Sequence, residues 1–141
     1  MKVSKRVTWT LLGLGAVMTM AQAEVVAVVS AKNPLAVLTR NQVADIFLGR
    51  RNHFPDGSAA VPLDQPDGSA VRSEFYSRYA GMSATQVKVF WSKIIFTGRG
   101  QPPRVVSNDA EVKKMLAANP GLIGYIDQKK VDSSVKVLVV P

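Results

Sequence analysis

Apolar and polar positions switch between two periods from Glu24 onward, and each switch marks an element. Glu24–Ser30 (EVVAVVS) is a continuous β-branched run, the pattern of a strand buried on both faces. Asn33-Pro34 ends it. Thr39 and Gln42 form a capping box, and Val43, Ile46 and Phe47 follow at helical spacing, which predicts a helix from Arg40 to Leu48 stopped by Gly49. Gly49–Ser58 reads as a loop with a turn at Pro55-Asp56-Gly57, and Ala59–Leu63 as a short strand. A second turn spans Gln65-Pro66-Asp67-Gly68, after which Ser69 is the natural N-cap of a helix Ala70–Ala80 closed by Gly81.

A second capping box, Ser83 with Gln86, opens a helix Ala84–Phe96. Its Val87, Phe90, Trp91, Ile94 and Ile95 recur on one face, which assigns the two aromatics to the core. Thr97–Pro103 is an irregular Gly/Pro loop, and Arg104–Val106 adds a short strand. Asn108 with Glu111 caps a helix that reaches Ala118 and ends at Asn119-Pro120-Gly121. Leu122–Ile126 and Val135–Val140 are closing strands. The order β-α-β-α-α-β-α-β-β predicts an α/β fold, sheet and helices around one core, with no repeat and no linker that would separate two domains.

The first 23 residues follow a different logic. Lys2, Lys5 and Arg6 precede an uncharged apolar run, Val7–Met20, and the small-x-small site Ala21-Gln22-Ala23. This is the three-part pattern of a secretory signal peptide over 1–23, and the run is short for a membrane span, which needs ~20 apolar residues. The expected exported domain is 24–141, with a periplasmic location. No Cys follows the cleavage site, so a lipoprotein anchor is not expected.

Charge and chemistry-bearing residues narrow the function. The whole chain carries +8, and residues 24–141 carry 15 basic against 10 acidic side chains. The cations are scattered as pairs such as Arg50-Arg51, Lys113-Lys114 and Lys129-Lys130, a surface suited to small anions or an anionic membrane face. An exported chain without a basic stripe interleaved with aromatics is not expected to bind nucleic acid. The absence of Cys removes thiol chemistry and Cys-based metal sites. His53, the one histidine, lies on a loop without a GxSxG serine or an HExxH pair. Gly98-Arg99-Gly100 lacks the spacing of a phosphate loop. No catalytic residues, cofactor or metal are expected, and the chain reads as non-enzymatic.

One stretch has a positive argument. The first N–H groups of a helix lack internal partners and sit at the positive end of its dipole. Asp67-Gly68-Ser69 leads into such a helix, the glycine and small hydroxyl let an anion approach, and Arg72 in the first turn adds a guanidinium.

Four stretches, Leu38–Gly49 (LTRNQVADIFLG), His53–Gly57 (HFPDG), Val61–Phe75 (VPLDQPDGSAVRSEF) and Asn119–Ile126 (NPGLIGYI), resemble in order the substrate-binding proteins of phosphate ABC transporters. The resemblance implies one lobe of a type II periplasmic-binding fold. It also implies phosphate or another oxyanion held at Gln65, Asp67, Gly68, Ser69, Ala70, Val71 and Arg72. The family's phosphate loop reads Arg-x-Asp-Gly-Ser-Gly-Thr. Here Gln65 stands at the Arg position and Ala70-Val71 replaces Gly-Thr, while Asp67, Gly68 and Ser69 carry over. Full members are two-lobed, and the second lobe supplies the acidic acceptor for the proton of hydrogen phosphate. The expectation is therefore weak binding, with the cleft completed by a homodimer partner, an ABC permease or another inner-membrane protein. The alternative is an interaction domain that has lost its ligand and docks to a membrane partner.

Overall fold

The computed structural model describes residues 24–141 and four isolated positions before them, so the signal-peptide reading lies outside the described residues. Five strands and four helices follow in the expected order: β1 (Val25–Ser30), α1 (Arg40–Phe47), β2 (Val61–Asp64), α2 (Ala70–Ala80), α3 (Ala84–Phe96), β3 (Arg104–Val105), α4 (Asp109–Ala118), β4 (Leu122–Asp127) and β5 (Val135–Val137), with a 3-10 turn at Gln128–Lys130. The sheet order is β3-β2-β4-β1-β5. β2 runs parallel to β3 and β4, whereas β1 is antiparallel to β4 and β5, so the sheet is mixed.

The unbroken apolar run of β1 has its explanation in helices on both faces of the sheet. Val25, Ala27 and Val29 join Ile123 and Tyr125 of β4 in a core with α1, α2 and α3. Val26 and Val28 point the other way, with Leu122 and Ile126, onto Val112 and Leu116 of α4. Gly124 sits where α4 crosses β4 most closely, because a Cβ there would lie 2.6 Å from Val112 Cγ1. On the three-helix face, Phe75 of α2 stacks on Tyr125 at 4.0 Å between centroids and tilts against Phe47 of α1 at 4.6 Å.

The helix ends follow their capping chemistry. Thr39 and Ser83 each form a reciprocal capping box, and Gly81 closes α2 at φ +63°. Asn108 caps α4 by accepting from Glu111 N–H, without the reciprocal Glu111 side-chain bond that a full box requires. β1 starts at Val25, α1 stops at Phe47 with Leu48 as its cap, β3 stops at Val105 and β4 runs on to Asp127, and three further expectations shift. β2 begins at Val61 instead of Ala59, because Ala59 pairs with His53 in an isolated bridge across the loop. β5 ends at Val137, after which Val139 bridges to Val37. Ile95 turns to solvent while Trp91 is buried and Phe90 half-buried, because α3 packs over one face only. Residues 24–141 thus hold one continuous five-stranded sheet and two apolar clusters.

Candidate functional site

The carboxyl end of β2 places Asp64 in the interior, only 3% exposed, where an isolated carboxylate is costly unless its oxygens are satisfied. They are. Tyr76 of α2 donates its hydroxyl to Oδ2 at 2.7 Å, and Tyr125 of β4 donates to Oδ1. The Gln65 N–H lies between Oδ1, at 2.9 Å, and the Tyr125 hydroxyl oxygen, at 3.0 Å. Arg72 Nε approaches Oδ1 at 3.4 Å. Burial pushes both tyrosine hydroxyls well above their ordinary pKa, and the neighbouring Asp64 carboxylate adds to the shift, so both stay protonated donors.

This buried knot holds the 65–72 turn in place. Ser69 caps α2 by accepting from Arg72 N–H at 3.3 Å, and Gly68 takes φ +86°, a conformation that disfavours a side chain. Asp67 Oδ1 accepts from Gly68 N–H at 3.0 Å. Among the described residues, the N–H groups of Ala70 and Val71 have no acceptor within the chain. The hydroxyl of Ser69 remains free to donate, since its recorded bond uses the oxygen as acceptor.

Beside this helix entry opens a cleft of about 540 Å³. Gln65, Ser69 and Val71 form one wall, and Asn108, Asp109 and Ala110, the start of α4, form the other. Two helix N-termini therefore open on the same space, and Lys113 and Lys130 complete its rim. Asp109 brings one carboxylate to this wall, but its oxygens accept from Gln65 Nε2 at 2.7 Å and from Asp127 N–H at 3.2 Å.

Two of the residues singled out in the sequence occupy other roles. Gln65 donates both Nε2 hydrogens, to Asp109 and to the Tyr125 carbonyl at 3.0 Å, and has no donor left for an anion. Arg72 does not face the cleft of Ser69. Its guanidinium bridges Asp64 and Asp67, the latter at 3.4 Å, and lies 5.0 Å over the Tyr76 ring, on the wall of a separate cleft. Ser69 and Val71 line the larger cleft, Gly68 shapes the turn into it, and Asp67 is exposed beside Arg72.

Sequence reasoning missed Asp64, Tyr76, Tyr125 and the whole α4 side. The signals were slight: an acid ending an apolar strand (VPLD) and a lone tyrosine inside a buried one (LIGYID). Nothing in the chain announces that α4 starts beside α2. That depends on β2 and β4 being sheet neighbours.

Solved structures share this mixed five-stranded sheet layered between helices. One is a phosphate ABC transporter substrate-binding protein with bound phosphate from Clostridium perfringens, at 23% identity and a TM-score of 0.64. Another is an ABC-type phosphate transport receptor from Vibrio cholerae, at 22% identity and a TM-score of 0.64. A third is PstS from Borrelia burgdorferi, at 14% identity and a TM-score of 0.54. Each alignment covers 82% of this chain, and this chain spans 44% to 46% of their length. No protein-family model and no curated protein matches the chain.

Proposed function

We propose that this is an exported, non-enzymatic solute-binding module, its domain residues 24–141 following a cleaved leader, that holds phosphate or a similar oxyanion in the cleft between α2 and α4. The observation that carries the reading is the convergence of two helix N-termini on one space rimmed by Lys113 and Lys130, with the Ala70 and Val71 amides unclaimed. In this reading Ser69, Ala70 and Val71 touch the anion. Gln65, Asp67, Gly68 and Arg72 hold the loop that presents them. The relatives in fold bind phosphate or serve phosphate transport by name, which supports the choice of ligand.

Binding would be weak. The cleft is open on one side, and each hydrogen bond to an anion still in contact with water contributes about 0.5–1.5 kcal/mol net. A permease, another inner-membrane protein or a second copy would have to cover it for tight capture. A second reading, an interaction domain without a ligand, is favoured by one observation: Arg72 is already neutralised by Asp64 and Asp67.

Ser69→Asp separates the two. Aspartate is as good an N-cap as serine, so α2 keeps its start, but its charge occupies the anion's place. Calorimetry with phosphate and with sulfate is expected to show millimolar binding that Ser69→Asp abolishes. No heat and no thermal shift of the parent protein at millimolar anion would remove the solute-binding reading and leave the interaction domain.

A further inference from the structure

Charge is segregated along the chain in a way the anion cleft does not use. Phe75–Asn108 contains five cations and no carboxylate, and it includes all of α3, the loop after it and β3. Four of the large apolar side chains left exposed, Val89, Ile95, Phe96 and Val105, lie in the same stretch. Phe96 is 92% exposed, and it stands among these other apolar side chains instead of singly.

The side chains are arranged as one surface. Lys88, Val89, Lys93 and Phe96 line a shallow depression on the outer side of α3. Ile95 and Val105 line the adjoining cleft against Pro102 and Pro103, and Lys88 and Ser92 belong to both. Among the described residues, Lys88, Lys93, Arg99 and Arg104 form no ion pair. The acids that line that cleft, Asp64 and Asp67, are both paired with Arg72. The surface is therefore apolar at its centre and cationic at its rim, with nothing of its own to neutralise it.

We propose that the outer face of α3, with the loop that follows it, docks on an anionic phospholipid surface. Phe96 and Ile95 enter the headgroup boundary while Lys88, Lys93 and Arg99 meet the phosphates, the division of labour of an interfacial amphipathic helix. A second copy of the chain does not fit, since two such faces carry like charge. An acidic protein fits the charge but not the shape. Phe96 projects from the helix end beside a shallow depression, where a protein partner would be met by a pocket with paired polar groups. This docking stands independently of the anion reading, since the side chains that meet the lipid include none of those placed around the anion. It would hold the module at the membrane.

The test uses residues 24–141, which carry the whole sheet and both apolar clusters. The protein is sedimented with vesicles of phosphatidylglycerol and, in parallel, of phosphatidylcholine. Binding to the first, not the second, and release by added salt are expected. Lys88→Gln with Lys93→Gln should lower the partition coefficient roughly twenty-five-fold, at about fivefold per charge. Phe96→Ser should lower it roughly tenfold. All three side chains are exposed, so unchanged circular dichroism is the folding control, and Lys32→Gln, outside the stretch, should change nothing. No sedimentation with phosphatidylglycerol, equal sedimentation with both lipids, or indifference to the lysine pair overturns the proposal. So does salt-sensitive binding to polyglutamate without binding to vesicles, which would assign the face to an acidic protein.

Discussion

Replacing either tyrosine of the Asp64 knot by phenylalanine removes one oxygen and keeps the ring, yet the two substitutions should differ. Tyr76 is the one donor recorded to Asp64 Oδ2, at 2.7 Å, so Tyr76→Phe leaves a buried, charged oxygen without a partner. A hydrogen bond to a charged group contributes about 1.5–3 kcal/mol, and the orphaned oxygen puts this case at the upper end. Tyr125 donates to Oδ1, which also receives the Gln65 N–H and faces Arg72 Nε. Those remaining donors limit the cost of Tyr125→Phe to about 1 kcal/mol. The ring stack of Tyr125 on Phe75 and the contact of Arg72 with the Tyr76 ring survive in both variants. The assay is urea unfolding of residues 24–141 followed by circular dichroism, with equal slopes required before midpoints are compared. For a domain of this size the losses correspond to about 12 °C and about 4 °C in Tm. A Tyr125→Phe loss equal to or above that of Tyr76→Phe would show that donor number at each oxygen does not set the cost, and the reasoning would fail.

Gly124→Ala puts a Cβ 2.6 Å from Val112 Cγ1, so α4 must shift off β4; a loss of about 1–3 kcal/mol is expected in the same unfolding assay, and a neutral result would mean that α4 packs more loosely than described. Gly81→Ala at φ +63° should cost about 1 kcal/mol, with hydrogen exchange faster at the end of α2 than elsewhere. Asp132 is held down to about 2, first by the Ser134 hydroxyl and then by Lys113. Its folded pKa lies below the unfolded value of 3.8, so whatever it contributes to stability is present above that value and disappears as pH falls through about 2. Carboxyl NMR should find a midpoint near the lower figure that Ser134→Ala raises, and an unchanged midpoint in that variant would show that the serine does not hold it.

Periodicity and capping alone specify the element order, because the signals are local: β-branched runs, a cap three residues before its partner, a glycine where the helix must stop. Thr39, Ser83 and Gly81 act where the chain predicts them. The turn at Gln65–Ser69 and the start of α2 were legible for the same reason. What the residues of that turn do was not. Arg72 is close in sequence to Ser69, and that spacing predicts the same anion for both, but Arg72 pairs with Asp64, whose burial depends on Tyr125 arriving from β4 far along the chain. Gln65 is spent on Asp109 and on the β4 backbone in the same way. The cleft itself belongs to the tertiary structure. It exists because β2 and β4 are parallel neighbours, which brings the starts of α2 and α4 to one side of the sheet. Local sequence determines which backbone groups are left without partners at a helix end; only the packing of distant strands decides which side chains surround them.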